Sequence, residues 1–377
     1  MIEKPIVFFT SNVFTPEEIG ENQSLTNDIR DSIKNLWSQL KQIANIKVYD
    51  GRFPDSAEIK TYIEKFNPHI LGCHLSHPIP AEFLEKSNLI AVSTATVGYN
   101  HIRRPKDNKV IITHTPGVLY EAVADYTIAL IMSSLRNLIN LHNYVWNGNW
   151  TLSDRWDMDQ KLSSSFANKV LGIVGLGEIG AEVAKKLQNF GVKILYYDIH
   201  RQEKLENALP GLKYVSNLTD LFKRADIISL HIPLNRNTEN LIDHNLLKLM
   251  KHNSLLVNTA RGKVLNLNDF LELLERKEIF VNFAFDVYPQ EPIDKKTLER
   301  IKAIKESQPE IRIALMPHNA SADANTRGKM VILFLEDIIK LLRSKNIREL
   351  DNIHIIPEQK NILQEINWRI KNYWEKK

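Results

Sequence analysis

The chain has 377 residues, of which 43% are hydrophobic and 25% are charged, and its formal net charge is +4. This length exceeds what a single hydrophobic core usually supports, so two domains are expected. Acidic and basic residues are interleaved without a basic stripe, which argues against a nucleic-acid-binding protein.

Cysteine content and hydropathy limit the class of protein further. Cys73 is the only cysteine and lies in the apolar run HILGCHL, so an intrachain disulfide is excluded and a buried thiol is expected. No apolar run approaches the roughly 18 residues of a membrane span. The apolar run after Pro5 is too short for a signal peptide. We therefore expect a cytoplasmic protein with no membrane partner.

Over residues 1–117, short apolar runs alternate with amphipathic segments, as in a parallel sheet covered by helices. Strands are predicted at 6–10, 46–50, 69–75, 89–94 and 109–114, and helices at about 24–43 and 57–66. A long helix is then predicted from about Tyr120 to Tyr144. Its middle, ADYTIALIMSSL, is apolar nearly all round, so we expect it to be buried between layers or subunits.

A second α/β region begins at Lys169. Six apolar runs separated by helix-sized segments predict about six parallel strands, which is the rhythm of a doubly wound nucleotide-binding domain. These runs are VLGIVG, KILYYD, DIISLHIP, SLLVNTA, FVNFAFDVY and RIALMPH. One more helix is expected from Asn325 to about Leu342. The charged tail from Asn346 is either a docked helix or partly disordered.

A glycine-rich turn follows the first strand of this second region. In VGLGEIG, the first glycine allows a tight turn, the second lets the backbone approach a pyrophosphate, and the third lets the helix pack against the strand. The N–H groups that open the helix suit a diphosphate. The predicted cofactor-binding residues here are Gly175, Gly177, Glu178, Ile179 and Gly180.

The next strand ends at Asp198, whose carboxylate can accept hydrogen bonds from both ribose hydroxyls of an adenosine. A 2′-phosphate would be repelled by that carboxylate, so NAD is favoured over NADP. His200 and Arg201 follow closely; they are either ordinary surface residues or groups that weaken this preference.

Arg261, Glu291 and His318 each follow a late predicted strand. Because ligands of open α/β sheets bind outside the carboxyl ends of the strands, the three side chains are expected to meet in one site. Reduction of a 2-oxo acid requires a cation for the carboxylate and an acid for the forming alkoxide. A planar guanidinium suits the first task, and an imidazole oriented by a carboxylate suits the second.

Several segments in register resemble the D-isomer-specific 2-hydroxyacid dehydrogenase family, most closely its glyoxylate/hydroxypyruvate reductases. They are STATVGYNHI, TPGVL, VADYT, NGNW, VGLGEIG, HIPLNRNTENLI, NTARGKVLN, AFDVYPQEP and PHNASA. The resemblance runs from about Pro68 to Leu342. It implies two doubly wound parallel-sheet domains, a flavodoxin-like substrate domain and a Rossmann nucleotide domain, and a homodimer. The implied division is 1–117 completed by 319–345, then 118–318, with 346–377 as a C-terminal extension.

The resemblance also implies roles for individual residues. Arg261 matches the substrate-binding arginine, His318 the catalytic acid/base and Glu291 its acidic partner. Further cofactor contacts are implied at Pro233, Thr238, Thr259, Ala260, Asp286 and Ala320. Further substrate contacts are implied at Ser76, Val97, Gly98 and Trp150, of which Trp150 would extend towards the active site of the neighbouring subunit.

The chain departs from the family pattern at a few positions. Asn100 stands for the usual aspartate in YNHI, and PHNASA replaces the commoner PHIGSA. The segment between Glu291 and His318 is longer than usual and is expected to add a helix, and the tail after Arg343 matches the family poorly. No metal is expected.

The alternatives that remain open are another 2-oxo acid substrate, such as the oxo acid of D-lactate or one with a larger side chain, and a corepressor-like protein that binds NAD(H) on the same scaffold. A lysine replaces Val97 in the phosphite-oxidising branch, which argues against that substrate here.

Overall fold

The computed structural model describes residues 3–20, 22–104 and 109–376. The chain divides into two compact units, unit 1 (Met1–Leu119 and Ala322–Lys377) and unit 2 (Tyr120–Ser321). Each unit contains one sheet in which all of the described strand pairs are parallel. Among the described residues, no helix has both the length and the apolar character needed to cross a membrane.

The strands are, in chain order, β1 (Ile6–Phe9), β2 (Asn45–Val48), β3 (Ile70–Cys73), β4 (Ala91–Thr94), β5 (Ile111–Thr113), β6 (Val170–Val174), β7 (Lys193–Tyr197), β8 (Leu212–Tyr214), β9 (Ile227–Leu230), β10 (Ser254–Asn258), β11 (Val281–Phe285) and β12 (Ile313–Leu315). The α-helices are α1 (Pro16–Gly20), α2 (Asn27–Ile43), α3 (Ser56–Phe66), α4 (Ala81–Glu85), α5 (Tyr120–Leu135), α6 (Leu138–Trp146), α7 (Glu178–Leu187), α8 (Glu203–Ala208), α9 (Leu218–Arg224), α10 (His244–Leu247), α11 (Leu267–Glu275), α12 (Lys295–Ser307), α13 (Ala324–Arg343), α14 (Pro357–Lys360) and α15 (Arg369–Lys376).

Unit 1 has the strand order β2-β1-β3-β4-β5, the flavodoxin-like order expected from the sequence. Successive side chains of a strand point to opposite faces of the sheet. The side chains of β1 therefore contribute to two hydrophobic layers, one on each face of the unit 1 sheet. Val7 and Phe9 pack into the cluster that contains α2 and α13 residues. Phe8 packs instead with Ile59 and Ile63 of α3. Cys73 is fully buried, as predicted.

Unit 2 has the strand order β12-β11-β10-β9-β6-β7-β8, so the chain reverses its direction of travel between β6 and β9. This reversal creates the switch point at which doubly wound sheets bind nucleotides. The sheet has seven strands: the six predicted runs all form strands, and one strand was not predicted. The missed strand, β8, is a three-residue edge strand in which only Leu212 is buried, and it is too short to show a strand period.

The single helix predicted over 120–144 is also wrong. Helix α5 ends at Leu135, and Asn137 adopts a left-handed conformation with φ 55° before α6 begins at Leu138. Helix α5 buries Val123, Ala124 and Ile131, whereas α6 has no buried residue. Because the whole stretch is apolar, its sequence did not show that it forms two helices, one partly buried and one without buried residues.

The longer segment before His318 forms α12, as predicted, and the Asp294 carboxylate caps this helix by accepting a hydrogen bond from the Thr297 N–H. The tail is docked: Leu363, Trp368 and Ile370 are buried in the core of unit 1. Residues 346–377 therefore belong to unit 1.

Candidate active site

The glycine-rich turn joins β6 to α7 in unit 2. Gly175 has φ +92°, and a Cβ there would lie 2.7 Å from the Ile232 side chain and 2.8 Å from the His231 carbonyl oxygen. A Cβ on Gly180 would approach the Gly175 carbonyl oxygen to well under 3.0 Å, whereas one on Gly177 would meet no atom within 4 Å. Two glycines are therefore required by contacts within the chain, and Gly177 leaves open space for a bound group.

The surroundings of this turn fit a dinucleotide. Gly177 is exposed and precedes Glu178 and Ile179, which open α7 with the free N–H groups of a helix N-terminus. The Asp198 carboxylate follows β7 and accepts hydrogen bonds from the Leu176 N–H at 2.7 Å and the His200 N–H at 3.0 Å. A carboxylate has about four lone-pair sites, so acceptor capacity remains for ribose hydroxyls.

The other residues predicted to contact the cofactor also follow strands of this sheet. The Thr238 hydroxyl donates to the Pro233 carbonyl oxygen at 2.6 Å and closes the loop after β9. Thr259 is buried, and its hydroxyl is hydrogen-bonded to that of Thr127 on α5 at 2.8 Å. Ala260 is half-buried beside it.

Asp286, which directly follows β11, is fully buried. Its carboxylate accepts hydrogen bonds from the N–H groups of Asn319 at 2.7 Å and Ala320 at 2.8 Å, and its carbonyl oxygen accepts one from the His318 N–H at 2.9 Å. Burial raises the pKa of Asp286, and the two backbone hydrogen bonds act in the opposite direction. The structure thus places this carboxylate where it holds the turn that carries His318.

His318 and Glu291 form a close pair. The His318 Nδ1 lies 2.6 Å from the Glu291 Oε2, and the Glu291 Oε1 accepts a hydrogen bond from the Tyr288 N–H at 2.9 Å. Burial raises the pKa of Glu291, but the hydrogen bond and charge of His318 outweigh it, so the net shift is downward. An ionised carboxylate accepts only, so it places the Nδ1 proton on the imidazole and leaves Nε2 for other chemistry.

Arg261 follows β10 and lies in the same unit. Its Nη1 donates a hydrogen bond to the Ala260 carbonyl oxygen at 2.7 Å. Burial lowers the pKa of Arg261, whereas the nearby charge of Glu291 raises it. The charges of Arg261 and Glu291 therefore act on each other, and Glu291 in turn contacts His318.

Gly262 was missed by the sequence reasoning, although it stands inside the motif NTARG. A Cβ on Gly262 would lie well under 3.0 Å from the main-chain carbon and oxygen of Tyr288. The turn that carries Arg261 therefore touches the backbone that leads to Glu291. Only a residue without a Cβ permits this approach.

The predicted substrate-binding residues Ser76, Val97 and Gly98 lie in unit 1, after β3 and β4. The Val97 carbonyl oxygen accepts a hydrogen bond from the His114 Nδ1 at 2.8 Å, and the Gly98 carbonyl oxygen accepts one from the Thr96 hydroxyl at 2.8 Å. Among the described residues, no protein acceptor is hydrogen-bonded to the N–H of Val97 or Gly98. Ser76 is exposed, and its N–H donates to the His74 Nδ1.

Trp150, the last of the predicted substrate contacts, follows α6 and is 61% exposed. In the described part of the chain, no group of three or more histidine, cysteine, aspartate or glutamate residues is arranged to hold a metal ion.

Comparison with known proteins places this geometry in a family. Residues 128–320 match the D-isomer specific 2-hydroxyacid dehydrogenase, NAD binding domain. The chain is 32% identical to a glyoxylate reductase of Thermofilum pendens over 338 residues, and the aligned region covers 85% of this chain and 95% of that protein. The chain belongs to the D-isomer-specific 2-hydroxyacid dehydrogenase family. It is an oxidoreductase that acts on 2-hydroxy acids.

Solved structures share the fold of this dehydrogenase. D-lactate dehydrogenase from Aquifex aeolicus, complexed with NAD and lactic acid, has a TM-score of 0.73 and 22% identity, covering 93% of this chain and 98% of that one. The NADPH-dependent glyoxylate/hydroxypyruvate reductase from Sinorhizobium meliloti, in complex with NADP and malonate, has a TM-score of 0.74 and 20% identity, covering 95% of this chain and 98% of that one.

Proposed function

We propose that this dehydrogenase reduces a small 2-oxo acid, glyoxylate or hydroxypyruvate, with NADH, and that Arg261, Glu291 and His318 perform the chemistry. The observation that carries the proposal is the 2.6 Å contact between the His318 Nδ1 and the Glu291 Oε2. It orients an acid/base in the electrostatic environment of the half-buried Arg261. The glyoxylate reductase of Thermofilum pendens supports the substrate class.

The nicotinamide, when bound, supplies the hydride that reaches the substrate carbonyl carbon. The carbonyl π bond breaks, and His318 donates the Nε2 proton to the oxygen, which yields the hydroxyl group. Glu291 holds the imidazole through Nδ1 and stabilises the imidazolium before the transfer. Oxidation of the 2-hydroxy acid uses the same groups in reverse, with His318 accepting the proton.

The substrate carboxylate binds to the guanidinium of Arg261, whose charge also polarises the ketone. In unit 1, the N–H groups of Val97 and Gly98 are the proposed further donors to this carboxylate. Support comes from their carbonyl oxygens, which are already engaged while the N–H groups have no described protein acceptor.

NAD is the proposed cofactor because the Asp198 carboxylate stands where a 2′-phosphate would be repelled. Arg201, the residue best suited to offset this repulsion, donates two hydrogen bonds of 2.9 Å to Glu206. These bonds lower the pKa of Glu206 to about 2, so the pair stays ionised and Arg201 is occupied. That arrangement favours NAD.

We also propose that the enzyme is a homodimer. Trp150 lies in a segment that exposes many large apolar side chains, a pattern that marks interaction surfaces. Those that are at least 61% exposed are Trp146, Trp150, Leu152, Trp156, Met158 and Leu162. In the dimer, Trp150 would reach the active site of the neighbouring subunit and limit the size of the substrate.

Steady-state oxidation of NADH with glyoxylate, hydroxypyruvate, pyruvate, phenylpyruvate and 2-oxoisocaproate tests the proposal. We expect the first two acids to have the highest kcat/KM. A preference for phenylpyruvate would move the enzyme to another substrate class and leave the roles of the three residues intact. No oxidation with any acid, despite NADH binding, would refute the proposal and favour the corepressor-like alternative.

A further inference from the structure

The C-terminal segment (residues 346–376) covers an edge of the unit 1 sheet. Strand β5 is the last strand of that sheet, so its outer edge would otherwise present unpaired backbone groups. The Ile356 N–H donates to the Ile112 carbonyl oxygen at 3.0 Å. The buried amide of Gln359 imitates a peptide group: it accepts from the Ile112 N–H at 2.7 Å and donates to the Val110 carbonyl oxygen at 2.8 Å.

The segment also contacts the residues that fix the loop at Thr96–Tyr99. The His354 carbonyl oxygen accepts a hydrogen bond of 2.9 Å from the N–H of His114, the residue whose Nδ1 donates to Val97. The imidazole of His354 lies 3.1 Å from the fully buried carboxylate of Asp337 on α13. The segment therefore positions the His114 backbone through His354, whose own side chain contacts the buried Asp337.

A second contact reaches the other end of the loop. The Tyr99 hydroxyl donates a hydrogen bond of 2.8 Å to the Glu358 Oε2. The Tyr99 ring packs edge-on against the His114 ring, with 5.3 Å between the ring centroids. Glu358 also lies 3.7 Å from the Arg104 guanidinium. Tyr99, at the end of the loop, and His114, which contacts the loop at Val97, are thus both hydrogen-bonded to residues of the 354–358 stretch.

Because peptide groups are planar, these hydrogen bonds also determine the direction of N–H groups in the loop. In a trans peptide the N–H points opposite to the C=O of the same unit, so holding a carbonyl oxygen also directs the next N–H. The Thr115 N–H donates to the Thr96 carbonyl oxygen at 2.9 Å, which directs the Val97 N–H. The bond from His114 to the Val97 carbonyl oxygen directs the Gly98 N–H in the same way.

We propose that the C-terminal segment is a positioning element of the substrate site. Through His354 and Glu358 it holds His114 and Tyr99. His114 directs the Gly98 N–H, and Thr115, the residue after His114, directs the Val97 N–H, so that both point at the substrate carboxylate. This inference rests on the proposed function, in which those two N–H groups bind that carboxylate. His354 and Glu358 act through other residues and are positioning residues.

The test uses the full-length enzyme with Tyr99→Phe, which removes only the hydroxyl, and Glu358→Ala, which removes its acceptor. Glu365→Ala is the matched control, because Glu365 is an exposed glutamate on the same segment. Loss of one hydrogen bond is worth about 0.5–1.5 kcal/mol, or roughly 2- to 12-fold. We expect KM for glyoxylate to rise by that factor in both variants, with kcat and the KM for NADH within about twofold of wild type.

Hydrogen exchange supplies a readout that needs no turnover. Peptides spanning 97–103 and 111–116 should exchange faster in Tyr99→Phe and Glu358→Ala than in Glu365→Ala, because the Ile102 and His114 amides are hydrogen-bonded within this arrangement. If exchange and KM in both variants match the control, the inference is wrong and the proposed function stands. Faster exchange with an unchanged KM also refutes positioning. A wild type that reduces no 2-oxo acid refutes the proposed function, while the exchange difference still reports whether the segment holds the loop.

Discussion

Replacing Gly262 by alanine tests whether the backbone contact at Tyr288 aligns Arg261 with Glu291 and His318. Gly262 has no positive φ, so the substitution acts through space alone. An ideal Cβ would be more than about 1 Å short of the 3.4 Å at which ordinary contact begins. Because the atoms it meets belong to the main chain of Tyr288, no side chain can rotate away, and one of the two loops must move.

The size of that movement determines the expected loss of activity. A misplacement of about 1 Å in a catalytic arrangement can reduce the rate by roughly 100-fold. Overpacking of this kind typically costs about 1–3 kcal/mol of stability. For a domain of this size, that cost corresponds to a fall in Tm of about 2–12 °C. We therefore expect Gly262→Ala to remain folded at 25 °C and to lose about 100-fold in kcat/KM for glyoxylate.

Gly211→Ala is the matched control in the same unit, since a Cβ at Gly211 would meet no atom within 4 Å. The assay combines NADH oxidation with thermal unfolding monitored by circular dichroism. The control should retain wild-type activity and Tm. If Gly262→Ala kept kcat/KM within twofold of the wild type, the close approach would not align the site, and the reasoning would be refuted.

Substitutions at four further positions test the proposed site. His318→Ala should lower kcat by about 10²- to 10⁴-fold while NADH binding, measured by fluorescence, survives; wild-type turnover under chemistry-limited conditions would remove its acid/base role. Arg261→Ala should cost about 2–5 kcal/mol in kcat/KM for 2-oxo acids, with partial recovery in Arg261→Lys; an unchanged kcat/KM would exclude it from the mechanism. The wild type should prefer NADH to NADPH at least about tenfold in kcat/KM, because like charges near 4 Å repel by about 4 kcal/mol at an effective dielectric of 20. Asp198→Ala should relax this preference. Equal use of both cofactors by the wild type would contradict the role assigned to Asp198. Trp150→Ala should narrow the preference for glyoxylate over phenylpyruvate, since pocket shape discriminates by only about 1–3 kcal/mol per methylene; an unaltered preference would show that the indole does not limit substrate size.

Local sequence signals determined the fold class and the nucleotide turn. The first five predicted strands and the helices α2, α3 and α13 are all present, differing from expectation by a few residues at their ends. The roles of Gly175 and Gly180 were also predictable, because the spacing of three glycines between a strand and a helix already encodes the turn. Such signals span fewer than about 20 residues, the range over which hydrophobic periodicity is informative.

Only the tertiary structure decided the features that depend on distant parts of the chain. The sequence shows that Glu291 and His318 follow late strands, but the distance of 2.6 Å between the His318 Nδ1 and the Glu291 Oε2 could not be predicted from it. The contact of Gly262 with Tyr288 and the docking of the tail on β5 leave no periodic pattern either. Each depends on where two separate segments meet. That placement is set by the packing of the whole sheet, and a short window of sequence cannot contain it.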